Sequence, residues 1–411
     1  MNKTMGAAAL AMLLATAPAP AQTTTQALDG KPIRIGVLND MSGPYADLSG
    51  KGSVTAAQMA AEDFMAEQGA NGLKVEVLGG DHQNKADVGA TLARQWVDQE
   101  NVAAVVDVPN SAVALAVNKV MLDKDRTFLA SSSATSDLTG PQCAPTTVQW
   151  TFDTWALAHG TVGALVKAGS KTWFFIAADY AFGTALTRDA TAVVQAGGGT
   201  VVGDVKAPLG TTDLSSFILQ AQASGADVIA TANSGDDASN TIKQAAEFGV
   251  GRDGRQKLAG LLIFLTDVRS MGLETAQGLL LTEAFYWDLN DKTRAWSQRF
   301  AARTGGRMPT MNHAGVYSET MAYLRAVVAE KTLSGRAVVA RMIATPMDDP
   351  LFGPTTIRRD GRAVHAMFLF RVKKPADSKG PNDLYDVVAT IPAAEAFRPM
   401  AEGKCPLVAT N

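Results

Sequence analysis

From residue 33 onward, short apolar runs alternate with longer amphipathic stretches. Residues 33–38 predict a first strand, followed by a glycine-rich loop. Ala56, Met59, Ala60, Asp63 and Phe64 then recur at helical spacing. Residues 73–78 alternate with period two, residues 88–97 read as a helix, and 102–108 form a strand apolar on both faces, as inside a parallel sheet. A helix over 112–121 and a strand over 127–130 complete the first series. After a turn-rich break at Gly140-Pro141-Gln142-Cys143-Ala144-Pro145 the rhythm restarts. Helices over 154–166, 185–195, 215–223 and 238–248 alternate with strands over 172–177, 200–205, 228–232 and 258–264. Strands separated by helices of this length imply repeated βαβ units.

The remaining segments complete these two halves. A strand over 277–285, helices over 293–303, 316–329 and 337–343, and strands over 352–358, 365–372 and 385–391 are expected. The predicted fold is α/β, with two doubly wound, Rossmann-like lobes joined by a hinge. Residues 33–150 with about 286–348 make the first lobe, 151–285 with about 349–395 the second, and 396–411 a C-terminal tail. Several crossings between lobes make a hinge that opens and closes around a cleft.

Composition narrows the function. Apolar residues are 46% and charged residues 19% of the chain, an ordinary globular balance. A net charge of −3 without a basic cluster argues against nucleic acid or an anionic membrane as partner. Lys3, an apolar run over 7–17 and Ala19-Pro20-Ala21 predict a signal peptide over 1–21, cleaved after Ala21, and a periplasmic destination. That run is shorter than the about 20 residues needed to span a bilayer. No cysteine follows it, so a lipid anchor is not expected. Cys143 and Cys405 are the two cysteines; in an oxidising compartment they are expected to pair.

Signatures of catalysis are scarce. Gly50-Lys51 is followed by Gly52 rather than Ser or Thr, so no phosphate loop forms. Neither a Gly-x-Gly-x-x-Gly turn nor a Gly-x-Ser-x-Gly elbow is present. His82, His159, His313 and His365 lie too far apart for a zinc spacing. No enzymatic activity, metal or cofactor is expected.

The stretch Ile35-Gly36-Val37-Leu38-Asn39-Asp40-Met41-Ser42-Gly43-Pro44-Tyr45 and the loop Asp179-Tyr180-Ala181-Phe182-Gly183 together resemble the leucine/isoleucine/valine-binding protein family. The likeness runs from about residue 33 to 408. It implies the type I periplasmic-binding-protein fold and a monomeric receptor that hands a small molecule to the membrane permease of an ATP-driven (ABC) importer. It also implies a ligand held between strand-end loops of the two lobes. In the first lobe Ser42, Tyr45, Asn110, Ser111, Ser132 and Ser133 match. Their hydroxyls and nearby N–H groups suggest a carboxylate clamp, although Asn110 and Ser133 could equally cap helices. In the second lobe Tyr180 and Phe182 suggest an aromatic wall. Asn233, Asp236, Asp267 and Trp287 occupy the other matching loops, and either acid could hold a ligand ammonium. The run Ala284-Phe285-Tyr286-Trp287-Asp288 and the ending Phe397-Arg398-Pro399 with Cys405-Pro406-Leu407-Val408 look more like a branch associated with aromatic carboxylates. The expected ligand is therefore a small carboxylate, aromatic in body. A branched-chain amino acid or amide, or a sensing role beside a membrane kinase, is the alternative.

Overall fold

In the computed structural model, which describes residues 30–69, 73–251 and 256–408, the first series forms a parallel sheet. Strands β1 (Ile33–Asn39), β2 (Val75–Asp81), β3 (Val102–Asp107), β4 (Thr127–Ala130) and β5 (Thr147–Gln149) lie in the order β2-β1-β3-β4-β5. Helices α1 (Gly50–Gln68), α2 (Ala86–Glu100) and α3 (Ser111–Asp123) connect the first four. Period-two alternation feeds two cores at once. Ile35, Val37, Ala104 and Val106 face α1, whereas Leu38 and Val105 face α2 and α3. Gly36 is required where β1 meets Trp96, because a Cβ there would lie 2.4 Å from the indole ring.

The second series repeats the plan. A continuous helical stretch runs through α4 (Thr154–Leu157), a π turn (Ala158–Val162) and α5 (Gly163–Lys167). Then come β6 (Thr172–Ala178), α6 (Ala181–Ala196), β7 (Thr200–Ala207), α7 (Ser215–Ala223), β8 (Val228–Ala232), α8 (Asp236–Glu247) and β9 (Lys257–Gly260). The parallel order is β7-β6-β8-β9. Along β6, Trp173, Phe175 and Ala177 join one core, and Phe174 and Ile176 the other.

Beyond β9 the chain departs from the expectation. The strand expected over 258–264 stops at Gly260, and short helices α9 (Leu265–Met271) and α10 (Leu273–Ala276) follow. Strand β10 (Leu280–Glu283) leads to α11 (Asp291–Arg303), α12 (Met311–Glu330) and α13 (Gly335–Ala344). Helix α12 packs along α1, beside the first sheet. Strands β11 (Met347–Asp349), β12 (Gly353–Ile357) and β13 (Ala363–Val364) form a small antiparallel sheet. It sits against α13, and Arg362 bridges to Gln149 of β5. Residues 353–364 therefore lie beside α13 and β5. Strands β14 (Met367–Val372) and β15 (Tyr385–Ile391) then pair antiparallel with β10 in the order β10-β14-β15. A short α14 (Ala393–Ala396) closes the chain's last crossing.

A buried arginine ties the crossings together. Arg362 is fully buried and donates to the carbonyls of Trp150 and Phe152 on the first crossing. It also lies 3.5 Å from Asp153 and 4.2 Å over the Phe397 ring. His365 reaches the same Trp150 carbonyl at 3.0 Å. The tail then returns to the first lobe, where Arg398 donates to the Ser136 carbonyl and Cys405 is disulfide-bonded to Cys143. Among the described residues no helix is long and apolar enough to cross a membrane. The expected signal peptide lies outside them.

Candidate functional site

The C-terminal ends of both parallel sheets face one another, and the loops leaving them meet in a closed cleft. Its lining joins Tyr45, Leu48, Pro109, Ser132, Ala134 and Asn312 from the first lobe to Tyr180, Phe182, Ser234, Leu262 and Phe264 from the second. As it stands the cavity is about 10 Å³, room for about one water. A small aromatic ring needs on the order of 150 Å³, more than this cavity holds.

The closed state is held across the cleft. The Tyr45 and Tyr180 hydroxyls lie 2.6 Å apart, and the Asp236 N–H donates to the Pro44 carbonyl at 3.3 Å. Gly235, at φ +61°, makes this approach possible: a Cβ would fall 2.3 Å from that carbonyl oxygen. Burial is the main cause that raises both tyrosine pKa values well above the ordinary range, so the pair is neutral. The Tyr45 loop itself is built by Asp40. Its carboxylate accepts from the N–H groups of Gly43 (2.7 Å) and Tyr45 (3.0 Å) and from Asn84 Nδ2 (2.7 Å).

Several hydroxyls of the expected clamp region gather around a buried acid. Asp107, fully buried at the end of β3, accepts from Asn39, from Ser49 (3.1 Å), from Ser131 (3.3 Å) and from Ser132. Burial raises its pKa despite these donors. Glu319 on α12 is raised too, first by burial and then by the neighbouring Asp107. The Ser133 hydroxyl donates to the Val108 carbonyl at 2.5 Å. Asn110 caps α3, accepting from Ala112 N (2.9 Å) and Val113 N (3.2 Å). Ser111 accepts from Thr135 N, and Ser42 is exposed and donates to Asp81. Of the six first-lobe residues expected at the ligand, Tyr45 and Ser132 line the cavity, and the Ser132 hydroxyl is directed at Asp107.

In the second lobe Tyr180 and Phe182 line the cavity as expected, with ring centroids 6.0 Å apart. Asn233 is buried beside it, bonded through Nδ2 to Thr241, with Oδ1 unpartnered. Asp236 is exposed at the rim. Asp267 is placed otherwise than expected. Because β9 ends at Gly260, Asp267 falls in the first turn of α9, and its carboxylate caps that helix by accepting from Phe264 N at 2.8 Å. Burial pushes its pKa up to about 7. Trp287 is outside the cavity: its indole N–H donates to the Asn382 carbonyl at 2.8 Å, next to Tyr286, which stacks on Tyr385. Tyr286 thus packs against Trp287, Phe370 and Tyr385 in the second lobe.

Ser234, inside the expected Asn233–Asp236 loop, also lines the cavity, whereas sequence reasoning missed Leu48, Leu262, Phe264 and Asn312. Thr310 and His313 pin the start of α12 to the Tyr45 loop. Thr310 donates to the Leu48 carbonyl at 2.7 Å, and His313 Nε2 lies 2.9 Å from the Ser49 carbonyl. His313 Nδ1 accepts from Thr310 N, so Nε2 carries the proton, and burial lowers the ring's pKa to about 4. Asn312, held between them, is fully buried, and neither its Nδ2 nor its Oδ1 has a partner. The available helix-start signal is Thr310 after Pro309, ahead of a long apolar stretch. Among the described residues no cluster of three or more metal-ligating side chains occurs.

A family model for periplasmic binding proteins matches residues 32–381. The chain belongs to the periplasmic binding protein family. The fold agrees with that of a crystallised periplasmic binding protein from Burkholderia mallei, 44% identical, at a TM-score of 0.88 over 92% of this chain and 99% of that one. It also agrees with a branched chain amino acid ABC transporter periplasmic ligand-binding protein from Burkholderia xenovorans LB400. That protein is 40% identical, with a TM-score of 0.79 over 91% of this chain and 99% of its own. A curated relative, Leu/Ile/Val-binding protein homolog 6 of Brucella abortus, is 28% identical over 255 residues. That match spans 61% of this chain and 63% of the relative, less than two thirds of its length. Membership in a periplasmic binding protein family and two lobes facing across a cleft are thus common ground with the sequence reading.

Proposed function

We propose that this chain is the periplasmic substrate-binding component of an ABC importer, and that it captures a small, flat, apolar-bodied molecule between its lobes for delivery to a membrane permease. The observation that carries this reading is the composition of the cavity wall. Tyr45, Tyr180, Phe182 and Phe264 present rings from both lobes, with Leu48 and Leu262 between them. A molecule touching both walls favours the closed state selectively, because only that state offers it all its contacts. Enclosing a ring at roughly 25 cal/mol per Å² contributes several kcal/mol, offset by the costs of closure and ordering.

In this reading the first lobe comprises residues 33–150 with about 286–364, the second 151–285 with about 365–391. The tail ties back to the first lobe through Cys405. A signal peptide over 1–21 delivers the chain to the periplasm, where that disulfide forms. Of the serines expected to clamp a carboxylate, Ser132 turns its hydroxyl to Asp107 in this closed arrangement.

A branched-chain amino acid is the second reading. It is favoured by the acidic rim at Asp236 and by the 40%-identical relative named for branched-chain amino acid transport. Melting shifts and calorimetry with aromatic amides, aromatic acids, leucine and valine separate the two. Stabilisation by aromatic ligands, little changed in Asp236→Ala, supports the first. Stabilisation by leucine alone, lost in that variant, overturns it.

A further inference from the structure

Asn312 is the unusual group in the cleft. Its side chain is fully buried, lines the cavity, and leaves both a donor and an acceptor unpaired. Leaving a buried amide without partners is costly, so its placement calls for a partner in the cavity that matches both its donor and its acceptor. Ser234 Oγ, across the cleft in the second lobe, is likewise buried, unpartnered and part of the lining.

Resting on the receptor reading, we propose that Asn312 reads the polar end of the ligand, and that this end is an uncharged donor–acceptor pair, a carboxamide, on an apolar body. A carboxamide accepts from Asn312 Nδ2 through its oxygen and donates its own N–H to Oδ1, satisfying both atoms. A carboxylate has acceptors only and would face Oδ1 with a second oxygen. An ammonium has donors only and would leave Nδ2 unanswered.

The surroundings argue the same way. Among the described residues, neither lysine nor arginine lines the cavity. Ser132, the lining hydroxyl a carboxylate would use, donates to Asp107, a buried acid directly behind it. Asp237, on the second lobe, is buried as well and accepts from Gly210 N at 3.1 Å. An anion brought into this cleft meets buried acids and no compensating cation, in a medium where such interactions are strong. A neutral amide meets no such penalty.

The test uses matched pairs on the full mature chain: benzamide against benzoate, cinnamamide against cinnamate, isovaleramide against isovalerate, with leucine as a zwitterion. Calorimetry on the wild type is expected to give each amide at least tenfold tighter binding than its acid. Asn312→Leu, which fills the same space without polar atoms, should erase that preference; Asn312→Asp, which replaces the donor by an acceptor, should also weaken the amides tenfold or more. The wild-type ranking stands as a measurement even where a variant fails to fold. Acids or leucine binding more tightly than the amides would overturn the role given to Asn312 while leaving the receptor reading intact. Binding of none of these compounds would overturn both.

Discussion

Asp267 offers a test of what a buried charge does in the second lobe. Its carboxyl is fully buried, caps α9 through Phe264 N, and is pushed from an ordinary 3.8 up to about 7, first by burial and then by Asp236 and Asp47. Three pKa units at 1.36 kcal/mol each correspond to about 4 kcal/mol. Below pH 4 the group is protonated in both folded and unfolded chains and contributes no pH dependence. Between pH 4 and 7 the folded chain keeps a proton that the unfolded chain has released, so stability falls as pH rises. Above pH 7 the full penalty is present. Asp267→Asn removes the charge but keeps an oxygen to accept from Phe264 N. It is expected to match the wild type near pH 4 and to exceed it by about 2–4 kcal/mol at pH 8, the lower figure allowing for a weaker neutral cap. Urea unfolding of both proteins from pH 4 to 8 provides the comparison. Asp237, raised to about 6 by burial, adds the same downward slope to both and cancels in the difference. Parallel stability curves, or an Asp267→Asn variant less stable than the wild type at pH 8, would refute the reasoning.

Three further outcomes follow from the hinge and the cleft. Arg362→Ala leaves Asp153 and the Trp150 and Phe152 carbonyls buried without their cation; a loss of about 3–5 kcal/mol is expected in urea unfolding, and Arg362→Lys should recover only part of it. Cys143→Ser with Cys405→Ser opens a loop with a sequence separation of 262, and chain entropy alone predicts a loss of about 5.6 kcal/mol, read as a lower urea midpoint that reductant no longer shifts. Tyr45→Phe removes half of the hydroxyl pair across the cleft and leaves the Tyr180 hydroxyl unpaired, at a cost to closure of about 1–3 kcal/mol. Small-angle scattering should then show a larger open fraction in the ligand-free chain; an unchanged radius of gyration would count against the pair as a closure contact.

The two sheets were legible because each strand carries its own evidence. Residues 127–130, 215–223, 228–232 and 385–391 begin and end where the pattern places them. In each case the periodicity and the flanking turn residues are local. The misreadings share the opposite property. Leu261-Leu262-Ile263-Phe264-Leu265 has the apolar continuity of a buried strand, yet β9 stops at Gly260 and this run instead reaches the cleft and opens a helix. Asp267 thereby changes from a strand-end group into a cap. The same logic governs the serines. Ser131 and Ser132 turn their hydroxyls to Asp107, which is more than 20 residues away in sequence and side by side in space. Asn312 is hidden for a related reason. The apolar pattern of α12 begins at Val316, which leaves out its first turn, and that turn is fixed by contacts to Leu48 and Ser49 more than 260 residues earlier. Local pattern thus determines where a backbone runs, whereas the partner a polar side chain takes is settled by groups that only the fold brings near. In a cleft of this kind the informative residues are those whose polar atoms the fold leaves unpaired, and Asn312 meets that description where Asp267 and Ser133 do not.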